Sequence, residues 1–310
     1  MPVRRWLVAA WRSEKWGWRA ARLLLLVYAG CVLLLVLFES SFLYHPARYV
    51  AGDAAAWDVA AAPGGAEGDL VPAIEDVELV AEDGVRLHGW YAAPRRSVRG
   101  KPAPVPSDTV LLYLHGNAGN VTHRHETIRG LVTLPAHVFV LDWRGYGKSE
   151  GVPSEAGLYR DARAAWRYLT EKRGWRPDRI VLFGESLGGA PAVQLATEVE
   201  PAGLVMQAAF TSVPDRAREL FPFVPGFLVR NRMDNLSKIR RVRCPTLFLH
   251  SRSDEVIPFT HGRRLFEAAP TPKRFYEVPG AGHNDMDRVG GAAYRRVLRE
   301  FARECATSAE

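Results

Sequence analysis

Cysteine is scarce, with three in 310 residues. That excludes a disulfide-stapled framework and a Cys-rich zinc module. Basic charge is scarce too, outside one short stretch. Arg4, Arg5, Arg12, Lys15, Arg19 and Arg22 stand against Glu14 alone, which gives +5 over residues 1–22 and leaves only +2 of the chain's +7 for everything after them. A basic nucleic-acid-binding domain is thereby excluded. There is no internal repeat at a 20–50-residue period, hence no solenoid or propeller. There is no phosphate-binding loop either: Gly147-Lys148-Ser149 ends like one, but Asp142 stands where its first glycine belongs. With 47% hydrophobic and 24% charged residues, the composition is that of a globular chain.

Charge is absent altogether from residues 23–38, LLLLVYAGCVLLLVLF, twelve of which are Leu, Val or Phe. Each of those contributes about −0.3 to −0.6 kcal/mol to membrane insertion. Ala20 and Ala21 lengthen the run, Arg22 can snorkel outward, and Trp6, Trp11, Trp16 and Trp18 fit an aromatic belt on the basic side. A cleaved leader would need an A-x-A-like exit, which Glu39-Ser40-Ser41-Phe42 does not offer. In the lipoprotein-like Tyr28-Ala29-Gly30-Cys31, seven apolar residues still follow the cysteine. The reading is a basic cytoplasmic head (1–22), a retained transmembrane anchor (23–44), a tether (45–73) rich in Ala, Gly and Pro over 51–73, and a catalytic domain (74–310). The positive-inside rule puts that domain on the side opposite the N-terminus. The excess of arginine over lysine fits a GC-rich bacterial genome, which would make that side the periplasm.

Beyond the tether, residues 77–81 and 85–91 around Asp83-Gly84 predict an opening hairpin. The Pro-rich piece 94–106 predicts a loop. Residues 110–114, 138–141, 180–183, 204–208, 246–249 and 275–278 predict buried strands, with helical spacing between them, as at 155–171 and 261–268. Such alternation makes a mainly parallel α/β sheet with helices on both faces, whose sites form at the carboxyl ends of strands.

Gly184-Glu185-Ser186-Leu187-Gly188 follows one of these strands and precedes a helix-compatible run. It is a G-x-S-x-G nucleophile elbow in the strand–turn–helix setting that chemistry requires. The glycines clear room for a sharp turn at Ser186. A serine hydroxyl needs a histidine base held by a carboxylate, and the chain order for this arrangement is Ser, then Asp or Glu, then His. Asp254, after strand 246–249, and His283, after strand 275–278, fill that order. Glu255 is the nearest rival to Asp254, whereas Asp285 and Asp287 stand too close to His283. The oxyanion hole should combine the backbone N–H of Leu187 with that of Asn117, or alternatively Ala118, in His115-Gly116-Asn117-Ala118-Gly119-Asn120. His115 reads as a brace beneath that loop. His123-Arg124-His125-Glu126 lacks the further ligands of a metal site and reads as helix surface. Cys244 and Cys305 could pair or stay free. No cofactor or metal is called for.

With these pieces in place the chain resembles the α/β-hydrolase superfamily, and more closely the membrane-anchored abhydrolases of the bud-emergence type. The matching segments are Phe42-Leu43-Tyr44-His45-Pro46, Leu114 to Asn120, Asp142-Trp143-Arg144-Gly145-Tyr146-Gly147-Lys148-Ser149-Glu150-Gly151, Phe183 to Gly189, Asp254-Glu255-Val256-Ile257-Pro258 and Gly282-His283-Asn284-Asp285. The resemblance implies an α/β-hydrolase fold, a mainly parallel eight-stranded sheet with a minimal lid, preceded by one transmembrane helix. It implies Ser186 as nucleophile, Asp254 as orienting acid and His283 as base. Relatives usually carry tyrosine where Trp143 stands, a departure expected to touch packing more than catalysis. Between residues 210 and 244 the apolar run Leu220-Phe221-Pro222-Phe223-Val224-Pro225-Gly226-Phe227-Leu228-Val229 is either a small flap over an acyl pocket beside the bilayer or ordinary core. The expected activity is hydrolysis of small-molecule or lipid acyl esters or thioesters, with serine peptidase and non-catalytic interaction protein as alternatives. A serine at the elbow argues against dehalogenase or epoxide-hydrolase chemistry.

Overall fold

The computed structural model describes residues 3–49, 70–98 and 101–307. It opens with a 35-residue helix α1 (Val3–Leu37), a short α2 (Glu39–Leu43) and a two-residue strand β1 (His45–Pro46). The tether expected over 51–69 lies outside the described residues. Regular structure resumes earlier than expected, because β2 (Leu70–Val80) starts inside the predicted tether and pairs antiparallel with β3 (Arg86–Val98) along its whole length. Gly84, at φ +81°, takes the left-handed position in the connecting turn.

The remaining elements alternate as the sequence pattern requires: β4 (Lys101–Pro104), β5 (Val110–Leu114), β6 (Ala118–Gly119), α3 (His125–Val132), β7 (His137–Leu141), α4 (Glu155–Arg167), β8 (Ile180–Glu185), α5 (Gly189–Ala196), β9 (Gly203–Gln207), α6 (Val213–Leu220), α7 (Asn235–Ile239), β10 (Thr246–His250), α8 (Phe259–Ala268), β11 (Lys273–Glu277) and α9 (Met286–Thr307). The main sheet runs β11-β10-β9-β8-β5-β7-β3-β2 with β4 paired to β3. It has nine strands where eight were expected. The ninth, β4, comes from the Pro-rich piece read as a loop. Its prolines are tolerated because β4 pairs with the far end of β3 alone, so missing N–H groups face no second partner. The predicted helix 155–171 leaves the α-helical pattern after Arg167 and ends in a π-helical turn, Tyr168–Lys172.

From β7 to β11 neighbouring strands are parallel. Their side chains alternate between two apolar layers. Leu112, Leu114 and Leu182 face one core, and Leu111, Tyr113, Val181 and Phe183 face the other, all buried. This is the period-two signature of a sheet covered on both faces. Ser154 and Ser212 start α4 and α6 by accepting the N–H of Gly157 and Asp215, each at 3.1 Å. β5 sits between β7 and β8, so the chain leaving β5 and the chain leaving β8 turn away on opposite sides of the sheet. The crevice at their carboxyl ends is the topological switch point of the fold.

Candidate active site

The elbow is built by steric necessity. Ser186 has φ +51°, a conformation that costs a non-glycine residue of order 1–3 kcal/mol and persists only where the surroundings enforce it. The surroundings here are close-packed. A Cβ on Gly184 would lie 2.7 Å from the Ala192 Cβ and from the Gly189 Cα, and one on Gly188 would lie 1.9 Å from the Leu114 carbonyl oxygen. The two glycines therefore let β8 turn sharply into α5 while the elbow presses against the end of β5. α5 also aims its positive end back at the serine.

The structure brings Ser186, Asp254 and His283 together, all buried. His283 Nε2 lies 3.0 Å from Ser186 Oγ, and His283 Nδ1 lies 2.9 Å from both Asp254 oxygens. With its Nδ1–H donated to the carboxylate, the imidazole presents an unprotonated Nε2 to the serine hydroxyl. Burial works against charge on Asp254, but hydrogen bonds from His250 and His283 and the Ile257 N–H outweigh it and hold the carboxyl well below the usual carboxylate range. Asp254 Oδ1 accepts the N–H groups of Val256 at 2.9 Å and Ile257 at 2.7 Å. The Asp254 carboxylate is thus itself held in place, and stays ionised.

Glu255 has a different place from the one its proximity suggested. Its Oε2 accepts the His283 backbone N–H at 3.0 Å, and Asp285 Oδ1 accepts that of Gly282 at 2.7 Å. Two carboxylates thereby pin the histidine loop from either side. His250, 3.4 Å from Asp254 and bonded to the Ile257 carbonyl at 2.9 Å, closes the base of the acid loop. Sequence reading missed it, because a histidine ending a strand carries no motif.

The loop after β5 lies against the elbow: a Cβ on Gly116 would be 3.5 Å from the Ser186 Cβ. Asn117 and Leu187 thus flank the serine from two different strand ends. His115 is buried, its Nδ1–H donating to the Gly116 carbonyl at 2.7 Å. Burial, with the Arg124 charge nearby, pushes its pKa down to about 3, so the ring is neutral. Trp143 does more than fill space. Its indole Nε1–H donates to the His115 carbonyl at 3.0 Å, so the departure expected to matter for packing reaches the loop beside the serine. His123 Nδ1 lies 3.3 Å from the Asn120 N–H, and Arg124 donates to the Ala118 carbonyl at 2.6 Å; both tie the loop down rather than lie idle on a surface. Cys244 and Cys305 are free thiols, each pushed by burial up to about 12.

The segment that follows the long helix belongs to this site, which sequence reading assigned to a tether. β1 pairs with β6, the His45 N–H donates to Asn117 Oδ1 at 3.0 Å, and Asn120 Nδ2 donates to the Arg48 carbonyl at 2.9 Å. Tyr44 is buried and its hydroxyl donates to Asn231 Oδ1 at 2.8 Å. Only backbone pairing reveals this role, since two-residue strands have no periodicity to read.

Chemically, the arrangement can supply a nucleophile, a base, an orienting carboxylate and two loops that can offer amides to an oxyanion. Comparison with known proteins bears on the fold and the family. A family model described as serine aminopeptidase, S33, matches residues 105–235. An uncharacterized protein of Mycobacterium tuberculosis is 39% identical over 238 residues, 76% of this chain and 82% of its own. The α/β hydrolase domain-containing protein WAV2 of Arabidopsis thaliana is 34% identical over 297 residues, 89% of this chain and 91% of its own. Among solved structures, the Pyrococcus furiosus esterase Pf2001 superposes with a TM-score of 0.63 at 20% identity, covering 84% of this chain and 98% of that one. By its fold and by relatives aligned along nearly its whole length, this chain belongs to the α/β-hydrolase superfamily.

Proposed function

We propose that the protein is a membrane-anchored serine hydrolase that cleaves carboxylic esters or thioesters through an acyl-enzyme. The observation that carries this reading is the contact of Ser186 Oγ with His283 Nε2 at 3.0 Å, at a serine held in a left-handed conformation. His283 takes the hydroxyl proton as Ser186 attacks the acyl carbon, and Asp254 stabilises the imidazolium. The amides of Leu187 and Asn117 hold the oxyanion, each worth roughly 3–4 kcal/mol in such sites. The imidazolium then gives its proton to the leaving group, and a water activated by the same histidine releases the acid. The likeness in fold to esterases supports the ester reading, whereas the family description supports a peptidase. The two differ only in the leaving group, and parallel assays of acyl esters, acyl thioesters and aminoacyl arylamides distinguish them.

The anchor rests on Trp16–Leu37, a 22-residue stretch holding an 18-residue window of mean hydropathy 2.5 with almost none of it buried. Such a helix is about 33 Å long, against about 30 Å of hydrocarbon. The basic residues before it and in its first turns support a cytoplasmic head with the catalytic domain across the membrane. The test is labelling by a fluorophosphonate probe in membrane fractions. The intact chain should label and Ser186→Ala should not; an intact, folded chain that fails to label would leave only a non-catalytic binding role.

A further inference from the structure

The apolar run after α6 lies alongside the long helix at a depth that decides its surroundings. The Tyr28 hydroxyl donates to the Phe223 carbonyl at 2.8 Å. Tyr28 stands nine residues before the end of α1 at Leu37, which is about 14 Å along the helix axis. Val32, on the same helix face one turn on, is buried. At the helix end the Arg230 guanidinium donates to the Val36 carbonyl at 2.7 Å, and Glu39 accepts the N–H groups of Arg230 and Asn231, each at 2.8 Å. The flap is therefore fixed along the last third of the helix rather than resting at its tip.

The flap's free side is apolar as well. Phe227 is 82% exposed and Leu220 and Phe223 are more than half as exposed as that; residues 220–229 carry no charge. Part of its backbone already has the internal partners that a place without water demands of polar groups. Pro222 and Pro225 have no N–H to satisfy. The N–H groups of Phe221, Val224 and Leu228 bond to carbonyls within the segment or in α6, and Arg232 bonds to the Gly226 carbonyl. Between flap and helix lies an apolar cavity of about 150 Å3, lined by Leu35, Val36 and Phe42 on one side and Leu220, Phe221 and Val224 on the other.

We propose that residues 220–229 form a second membrane-embedded element, inserted into the leaflet beside the anchor, and that their exposed face and the cavity behind it are covered by lipid acyl chains. The inference rests on the reading of α1 as a retained anchor. If that helix spans the bilayer, a segment bonded to it 14 Å from its end lies below the headgroups, and no occupant other than lipid is available there. Arg230 sits at the level of the helix end, where its charge can reach the interface.

Nitroxide labels at single cysteines test this in full-length protein reconstituted in phosphatidylcholine–phosphatidylglycerol vesicles. Cys31→Ser removes the exposed native thiol, while Cys244 and Cys305, at about 12, stay unreactive near neutral pH. Labels are placed by Phe227→Cys, by Leu24→Cys in the anchor and by Glu200→Cys on the exposed domain surface, and their collision rates with oxygen and a water-soluble nickel complex are compared. The expected result is that the Phe227 site behaves like the Leu24 site, accessible to oxygen and shielded from nickel, while the Glu200 site does the reverse. A Leu24 site in lipid with an aqueous Phe227 site would overturn the flap proposal and leave the anchor standing. An aqueous Leu24 site would remove the anchor and the proposal together. Because Phe227 is exposed, its label displaces no packed side chain.

Discussion

Gly188→Ala is the substitution that most directly loads the contact between the elbow and the loop after β5. The new Cβ would start 1.9 Å from the Leu114 oxygen, 2.5 Å from the Leu114 carbonyl carbon and 2.7 Å from the His115 oxygen. All three atoms are backbone, so no side chain can swing aside. To reach even 3.0 Å from the nearest, the chains must part by about 1.1 Å. Overpacking of this kind costs about 1–3 kcal/mol, and a rigid backbone contact belongs at the upper end, which corresponds to a fall in Tm of roughly 5–10 °C for a domain of this size. The same displacement moves the Asn117 amide away from the Leu187 amide. A misplacement near 1 Å costs roughly 100-fold in rate, so the fluorophosphonate labelling rate should fall by about that factor in protein that is still folded at assay temperature. Gly130→Ala is the control, since its Cβ meets nothing within 4 Å and the exchange favours helix α3 by up to about 1 kcal/mol. A Gly188→Ala chain that melts and labels like the Gly130→Ala chain would refute the reasoning.

Asn117→Ala keeps the backbone amide but removes the nearer of two acceptors of the His45 N–H, leaving the Tyr146 hydroxyl at 3.2 Å. Labelling should slow by roughly 10-fold, up to the worth of one oxyanion donor, with a Tm loss of only a few degrees; unchanged labelling would disconnect strand β1 from the site. Trp143→Phe leaves the buried His115 carbonyl without its indole donor, and chemical denaturation should show a loss of about 1–3 kcal/mol. His115 is neutral in the fold because burial lowers its pKa to about 3, while the unfolded chain binds a proton near 6.5. Its stabilisation is complete above pH 6.5 and is lost as pH falls toward 3, at about 1.4 kcal/mol per pH unit; His115→Gln should flatten the acid limb of stability measured in urea. Asp254 is also lowered, by hydrogen bonds that outweigh burial, so its contribution is present above about pH 4 and fades below it. The stability gap between the intact chain and Asp254→Asn should therefore narrow below pH 4, and a gap that widened on acidification would contradict the assignment.

The three side chains that meet at the elbow could be read from the chain because each is tied to a local pattern. Ser186 stands in a motif whose glycines serve one steric purpose, and Asp254 and His283 follow strands whose apolar runs mark their ends. The sheet's centre was equally legible, since β5, β8 and β10 carry apolar runs at 110–114, 180–183 and 247–249 that are buried on both faces. What escaped was set by pairing rather than by pattern. β4 is Pro-rich and exists only because β3 offers it an edge, and β1 and β6 are two residues each. Glu255 stood out as a rival acid, yet only the path of the histidine loop shows that it holds the His283 N–H. The flap was left between two readings, because an apolar segment looks the same whether a core or a bilayer covers it. Its contact with Tyr28 is the observation on which the bilayer proposal rests.

The central claim is an acyl-enzyme on Ser186. The chain in detergent or vesicles should be mixed with a p-nitrophenyl acyl ester, quenched in acid within the first turnover, digested and analysed by mass spectrometry. The account predicts an acyl increment on the peptide containing Ser186 that is lost in Ser186→Ala. Hydrolysis of the ester with no acyl adduct on that peptide, or with activity undiminished in Ser186→Ala, would contradict it.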